Sequence, residues 1–479
     1  MPAKELSPIE VYKLLPGTNC KECGENNCMA FAAKLVNREM TLKECPPLLE
    51  PKYKAAFNEL WALLKPSVKA IEVGVGGRKA TLGGEYVVYR HEFTYFNPTA
   101  LTIDVSDEMP DDEFEARIKT VTDFEYEYIG MKLTLDMVAV RSTSEDPEKF
   151  EVAVKKASEL TDLPLILCAL DPAVMEHGLS VVGDKRPLIY AATKDNWKEM
   201  ADLALMYGCP IVASAPFDLD GLKSIARTLL EYGVEDIVLD PGTKIEDGFS
   251  STLDNFTMLR WNAVNIEDEY LGFPLLGTPL VAWAEKTEDP VINEWNEAVA
   301  ASALIARFSD ALIIHSVSGW SILPLVILRQ NLYTDPRKPV SVESEVIKFG
   351  EPNDMSPVLM TTNFALTYYT VASDIEGAKL DCYLIVVDTE GISVESAVAG
   401  RKLTADTVAE ALDTFKVGDL VKHRHLVIPG RAARLSGEIQ EISGWTVSVG
   451  PLDSSGIANY IDEKWDKLVQ ESMKEMDIT

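Results

Sequence analysis

The sequence predicts an α/β protein in three parts. A small N-terminal cysteine module spans residues 1–62, a linker hairpin and central (β/α)8 barrel span 63–338, and a doubly wound domain spans 339–479. Three observations predict this. Four of the seven cysteines crowd between positions 20 and 45. From about residue 100 to 316, eight short apolar runs alternate with helix-like segments. A second, shorter strand–helix alternation then fills the last part of the chain, and such alternation marks parallel sheets with helical crossovers.

Composition sets the limits. The chain has 479 residues, 47% hydrophobic and 25% charged, enough apolar material for sizeable cores and unlike a disordered or fibrous protein. Lys plus Arg number 45 against 76 Asp plus Glu, a net charge of −31. A surface that acidic repels phosphate backbones and anionic lipid, which excludes generic nucleic-acid and membrane-surface binding. Met1 to Glu10 has no basic region followed by an apolar one, so a soluble, cytoplasmic protein is expected. The uncharged runs Ala311–Leu328 and Met355–Ser373 are 18 and 19 residues long. Their hydroxyls, His315, Pro324 and Asn363 make them poor membrane spans.

In the N-terminal module, Ser7-Pro8-x-Glu10 has N-cap, first-turn proline and capping-box character, predicting a helix to about Leu15 that Pro16-Gly17 ends. The cysteines follow as Cys20-x2-Cys23-x4-Cys28-x16-Cys45. Disulfides suit neither this compartment nor this chain. A structural zinc site remains an alternative, although such sites show two matched C-x2-C halves. Three close cysteines and a remote Cys45-Pro46 suit thiolate capture of an iron–sulfur cube better. Cys28 opens a second helix, MAFAAKLVNREM, whose positive end would face an anionic cluster. Gly24 is expected to let backbone N–H groups approach sulfur. Cys168, Cys209 and Cys382 sit in or beside apolar runs and read as small buried hydrophobes.

A helical connector, Lys52 to Leu64, leads to a glycine-rich strand pair between Ala70 and Tyr89. Gly74, Gly76 and Gly77 read as its hairpin turn, since no nucleotide-loop spacing or helix follows. The eight barrel strands are ALTIDV, LTLDMVAV, LPLILCAL, PLIYAAT, PIVASA, DIVLDPG, GTPLVAWA and ALIIHS. Eight such units in so short a stretch fit a closed TIM barrel better than an open sheet. Asp240-Pro241-Gly242 and His315-Ser316 fall at strand ends, where barrels carry chemistry, but the local pattern reads as loop and helix-cap residues.

The last part opens with MSPVLMTTNFALTYYTVAS, rich in hydroxyls, with one amide and the aromatics Phe364, Tyr368 and Tyr369. It suits a large, flat, nearly neutral ligand, or equally a strand-and-turn core with satisfied hydroxyls. Strands CYLIVVD, HLVIPG and WTVSVG then alternate with helices TADTVAEALDTF, ARLSGEIQEIS and GIANYIDEKWDKLVQESMKEM in a Rossmann-like order. Ligands on such sheets lie beyond the strand carboxyl ends. Those ends are Asp388-Thr389-Glu390-Gly391, Pro429-Gly430 and Gly450 to Gly456. His423 and His425, flanked by Lys422 and Arg424, read as a solvated strand edge rather than metal ligands. No histidine has Asp two residues before it and Gly three after, the pattern that supplies an axial histidine to many corrinoids.

The cysteine motif, the barrel, and the segments TTNFALTYY, VVDTEGISV, RHLVIPG and VGPLDSSGI run in one order over nearly the whole chain. Together they resemble the large (gamma) subunits of corrinoid iron–sulfur proteins of the acetyl-CoA decarbonylase/synthase system. The resemblance implies a 4Fe–4S cluster on Cys20, Cys23, Cys28 and Cys45. It also implies a cobamide bound base-off in the C-terminal domain, with no side chain on cobalt. Carried onto this chain, the corrinoid would meet Thr361, Thr367 and the turn Asp388, Thr389, Glu390, Gly391, with Ser454, Ser455 and Gly456 facing its tail. The barrel is similar to pterin-binding methyltransferase barrels, yet is implied to pack mainly against a homologous small (delta) subunit.

The implied activity is methyl transfer. A methyl group would pass from an N5-methyl tetrahydropterin, directly or through a methyltransferase, to the corrinoid. It would go on to the nickel site of acetyl-CoA synthase, or run the reverse path, with CO dehydrogenase also in the complex. The cluster would return oxidised cobalt to its reduced state. The alternative reading is a non-catalytic iron–sulfur electron-transfer or scaffold subunit.

Overall fold

The computed structural model describes residues 6–245, 247–284, 289–335 and 339–478. Two compact units result, one comprising residues up to Tyr126 with Leu133–Thr334, the other Glu127–Lys132 with Asp335–Thr479. The cysteine module lies in the same unit as the barrel.

Its first helix, α1 (Pro8–Leu14), starts as its residues dictate: Ser7 accepts from the Glu10 amide while Glu10 reaches back to the Ser7 amide. Helix α2 (Cys28–Val36) is capped by Asn27 and ends at Asn37, shorter than its apolar pattern suggests. Helix α3 (Lys54–Leu64) closes the module. Val11, Phe31, Leu35, Leu48 and Leu60 form a small core with Cys28 and Cys45. Strands β1 (Ile71–Val73) and β2 (Ala80–Leu82) then pair antiparallel around the glycine turn. Gly74 has φ +90°, and a Cβ there would sit 2.8 Å from Pro164, so both backbone and space require glycine.

The barrel follows as β3 (Ala100–Ser106), α4 (Asp111–Asp123), an outlying hairpin of β4 (Glu125–Tyr128) and β5 (Met131–Thr134), β6 (Met137–Arg141), α5 (Pro147–Leu160), β7 (Leu165–Cys168), α6 (Pro172–Val182) and β8 (Leu188–Ala192). It continues with α7 (Trp197–Tyr207), β9 (Ile211–Ser214), α8 (Leu219–Tyr232), β10 (Ile237–Asp240), α9 (Phe249–Trp261), β11 (Leu276–Gly277), α10 (Pro290–Ala306), β12 (Ala311–Ile314) and α11 (Gly319–Leu332). The eight parallel strands run β10-β9-β8-β7-β6-β3-β12-β11. A parallel bridge between Leu239 and Leu275 joins the two ends, and the Leu239 amide donates to the Pro274 carbonyl at 2.8 Å. The ring is closed as predicted.

Two strands differ from expectation. LTLDMVAV is two strands, β5 in the hairpin and β6 in the barrel, parted at Leu135-Asp136. GTPLVAWA contributes only Leu276–Gly277 to the wall, and Pro279–Trp283 turns into a 3-10 helix. Pro279 has no N–H for the ladder of a strand flanked on both sides, so the strand stops short of it.

The second unit holds β13 (Val346–Phe349), β14 (Val358–Thr362), α12 (Ala365–Gly377), β15 (Cys382–Val387), α13 (Val394–Ala399), α14 (Ala405–Thr414), α15 (Val417–Leu420), β16 (His425–Ile428), α16 (Ser436–Ser443), β17 (Thr446–Val449) and α17 (Ile457–Ile478). The sheet order is β13-β15-β14-β16-β17, with β13 antiparallel at one edge. The chain leaves β14 toward β15 on one side and later returns to β16 on the other, so β14 is the switch point of a doubly wound sheet. One face packs Leu359, Leu384 and Val427 against α12 and α17. The other packs Val358, Met360 and Ile385 against α13, α14 and α16.

His423 and His425 are a correction. Both are buried, because β16 lies between β14 and β17 rather than at an edge. The His423 ring is 3.0 Å from the Ser356 carbonyl, and His425 Nε2 is 2.8 Å from Ser448 Oγ. Both rings meet Trp465 of α17 edge-on. Burial pushes the His425 imidazole down to about 4, so it stays neutral and structural.

Candidate functional site

Three places gather the chemistry-bearing residues. In the first, Pro16-Gly17 releases the chain from α1 into a loop with Asn19, Lys21 and Gly24 at positive φ. This loop carries Cys20, exposed, and Cys23, half-buried, to the buried Cys28 at the start of α2. The Asn19 side chain accepts from the Cys28 amide at 2.8 Å, and the Asn19 amide points at Cys28 Sγ at 3.4 Å. Gly24 supplies the turn rather than a contact to sulfur, since its amide donates to the Lys21 carbonyl. Cys45 comes in between two short 3-10 turns. Burial raises its thiol first, and the neighbouring Cys23, Cys20 and Cys28 raise it further. Cys45 thus lies within electrostatic reach of the other three cysteines, and a positively charged group beside it would oppose that rise. Among the described residues, no three His, Cys, Asp or Glu side chains converge on a single-ion site.

The second place is a cavity of about 410 Å³ beyond the carboxyl ends of β14, β16 and β17. It opens at the topological switch point, where doubly wound sheets take ligands. Thr361, Thr367 and Ser454 line it, over an apolar floor that includes Leu359, Val427 and Ile461. Thr361 Oγ1 is buried and has no hydrogen-bond partner. A buried hydroxyl left unsatisfied costs about 1–3 kcal/mol, a cost that a ligand acceptor would remove.

The other sequence-predicted residues lie beside this cavity rather than on its wall. The Asn363 side-chain oxygen accepts from the amides of Thr389 and Gly391, and its nitrogen donates to Asp388. Glu390 pairs with Lys402. Asp388 to Gly391 is thus a turn tied to the end of β14. Ser455 caps back onto Asp453 at 2.7 Å, and a Cβ on Gly456 would lie 3.0 Å from Pro451. Sequence reasoning missed Ser393, Glu395, Arg431 and Tyr460 on the cavity wall. Arg431, directly after the Pro429-Gly430 tip, was the available signal, and it pairs with Glu395 at 2.5 Å.

The third place corrects the reading of the barrel mouth as loop and cap residues. Strand register puts Ser106, Arg141, Cys168 and Tyr190 side by side across β3, β6, β7 and β8, and Ser214 beside Asp240. Asp240 is fully buried and accepts from Tyr190 Oη at 2.7 Å, the Gly242 amide at 2.8 Å and Ser214 Oγ at 3.2 Å. Burial outweighs these bonds and raises its carboxyl. On the other side Asp104 takes His315 Nδ1 at 2.6 Å, Arg141 at 2.7 Å and Arg117 at 3.2 Å. Burial works to raise the Asp104 carboxyl, but His315 and the two arginines together hold it below the ordinary range. Glu297 of α10 accepts from the His315 and Ser316 amides. Cys168 lies within this ring, but burial pushes its thiol up to about 12, far from a reactive thiolate.

Two family models match the chain. The one described as the CO dehydrogenase/acetyl-CoA synthase delta subunit covers residues 70–461, and an Fe-S cluster family covers residues 15–47. Subunits gamma 1 and gamma 2 of the acetyl-CoA decarbonylase/synthase complex of Methanosarcina thermophila are each 47% identical over 463 residues, 96% of this chain and 98% of theirs. Among solved structures, dihydropteroate synthase from Thermus thermophilus matches at 17% identity, covering 55% of this chain and 100% of that one, with a TM-score of 0.40. No helix among the described residues is long and apolar enough to cross a membrane. With identity this high over almost the full length of both chains, the chain belongs to the family of gamma subunits of the acetyl-CoA decarbonylase/synthase complex.

Proposed function

We propose that this subunit is a methyl carrier. It holds a 4Fe–4S cluster on Cys20, Cys23, Cys28 and Cys45 and a base-off corrinoid in the C-terminal crevice. The methyl group comes from an N5-methyl tetrahydropterin and goes to the nickel site of acetyl-CoA synthase, or the reverse. When bound, the corrinoid supplies a cobalt that carries methyl, and the cluster supplies single electrons to keep that cobalt reduced. The delta subunit, acetyl-CoA synthase and CO dehydrogenase subunits are its partners, and the cytoplasm is its compartment. A match between this chain and a family model described for the delta subunit supports a partner of related fold.

The observation that carries this reading is the crevice with its unpartnered Thr361 hydroxyl. The chain's residues there do physical work. Apolar Leu359, Val427 and Ile461 exclude water from the inner wall, Thr361 and Ser454 offer uncharged hydrogen bonds, and Thr367 borders the opening from α12. Such a lining, with Arg431 paired to Glu395 on its wall, suits a large ligand tail held by uncharged hydrogen bonds and apolar contact. In the cysteine module, Asn19 fixes Cys28 at the start of α2, and the positive-φ glycines set the path of the loop that carries Cys20 and Cys23 toward it.

Corrinoid binding to the purified complex, read by visible absorption, tests the crevice. Thr361→Val is expected to weaken binding about tenfold, the worth of one buried hydrogen bond. Thr367→Trp, on the partly exposed start of α12, is expected to block it while iron content stays unchanged. Unaltered cobalt binding in both variants would count against the crevice. Iron with no cobalt in the unaltered protein would favour the electron-transfer scaffold.

A further inference from the structure

A second cavity, of about 330 Å³, lies within the first compact unit, where the cysteine module meets the segment that follows β2. No cysteine lines it. The chain after α2 supplies Arg38 and Met40, α3 supplies Trp61 and Leu64, and the segment after β2 supplies Tyr86 and Phe96. Trp61 is 55% exposed and Phe96 40% exposed, so the cavity presents two aromatic rings to solvent.

Arg38 sets this cavity apart from a plain apolar crevice. Its guanidinium is half-buried and lies 4.2 Å from the centre of the Tyr86 ring, so one face is stacked on an aromatic. Phe93 at 6.2 Å and Phe96 at 5.9 Å hold that ring edge-on, which fixes the platform. The edge of the guanidinium is nearly free. Nη1 donates to the Leu35 carbonyl at 3.4 Å, a long bond, and no carboxylate pairs with Arg38 among the described residues. Burial pulls the guanidinium down from its ordinary value, and what opposes this is Tyr86 rather than an acid. The chain carries 76 Asp and Glu against 45 Lys and Arg, yet no acidic side chain lines this cavity, and Lys65 adds a second cation to it. A partly desolvated cation without a counter-charge is destabilising until an anion meets it.

We infer that this pocket binds a small aromatic carboxylate, its acid on Arg38 and its ring against Trp61 and Phe96. The free edge of a guanidinium matches the two oxygens of a carboxylate in a planar fork. The neutral polar side chains nearby are already engaged, Thr41 with Glu44 and Asn97 with the Gly83 carbonyl. What remains for the body of the ligand is apolar contact with Met40, Leu64 and the two exposed rings. The volume suits one ring and a short acid chain, at the lower end of small-molecule pockets. A ligand there touches α3 and the segment after β2 together, so it fastens the cysteine module to the strand pair. This site is independent of the crevice in the second unit and of the methyl-carrier reading.

The test uses the purified complex and three probes: 3-phenylpropionate, its amide, and inorganic phosphate. Calorimetry measures affinity, and hydrogen exchange locates the site on this chain. 3-Phenylpropionate is expected to bind saturably and to slow exchange in α2, α3 and residues 84–97. The amide keeps the ring and loses the charge, so it should bind about 10–100-fold more weakly, the worth of a charged hydrogen bond. Arg38→Met should lose as much, and Arg38→Lys should retain part of the affinity. Trp61→Ala should weaken binding of acid and amide alike. Arg38 has no ion pair to lose, so its variants should stay folded with iron content unchanged. No saturable binding, equal binding of acid and amide, unchanged binding in either Arg38 variant, or protection confined to other parts of the chain would each overturn the site. Phosphate binding as tightly as 3-phenylpropionate would overturn the aromatic carboxylate as its ligand.

Discussion

Arg260→Met is expected to destabilise the barrel by about 3–5 kcal/mol, the cost of stranding a buried carboxylate. Arg260 of α9 is buried beneath the barrel with Asp310, just before β12, and Glu85. Its Nη2 bonds Asp310 at 2.6 Å and its Nη1 lies 3.1 Å from Glu85. Asp310 also accepts the Leu275 amide at 2.6 Å, so it ties β12 to the neighbouring wall at the point where the ring closes. Without the guanidinium, Asp310 keeps the Leu275 amide but has no counter-charge. Hydrogen exchange of the β11 and β12 amides would read the loss locally, and a loss under about 1 kcal/mol would count against this assignment. The double variant Arg260→Met with Asp310→Asn should recover much of it.

Glu85 gives the same cluster a pH signature. Burial, then the charge of Asp310, pushes its carboxyl up to about 8, while Arg260 pulls it back. Burial thus favours the protonated form of Glu85 in the folded protein, and Arg260 at 3.1 Å opposes it. A raised folded value means its contribution is complete below the ordinary carboxylate range and declines as pH rises toward 8. Glu85→Gln should flatten that decline and cost little at neutral pH.

Cys23→Ala is the second large effect. Cys23 is half-buried on the loop, while the core of the module rests on Val11, Phe31, Leu35, Leu48 and Leu60. The variant should stay folded, lose its cluster iron and keep its corrinoid. Reductive reactivation of oxidised cobalt should then be abolished. Normal reduction in an iron-free variant would contradict the proposed electron route.

Much of this architecture was legible because it is local. Ser7 and Glu10 name a helix start, Cys28 opens α2, and the strand–helix alternation of the barrel and of the last domain sets both sheets. What failed was set by partners distant in sequence. His423 and His425, beside Lys422 and Arg424, look solvated, but the strand order places them between two others and under Trp465. Asp104 and His315 are 211 positions apart and meet only because the first and last strands adjoin in a closed ring. Pro279 was visible in the sequence and should have shortened its strand. In the crevice, Thr361, Thr367 and Ser454, which the resemblance implied, all line the cavity. Tyr460 was missed because it belongs to a helix whose face only packing reveals.

Anaerobic iron and cobalt analysis of the purified complex, with visible spectra before and after reduction, tests the methyl-carrier proposal most directly. The expected result is about four iron and one cobalt per gamma chain, with a reduced-cobalt band appearing on reduction. Iron without cobalt, after corrinoid has been supplied, would contradict it.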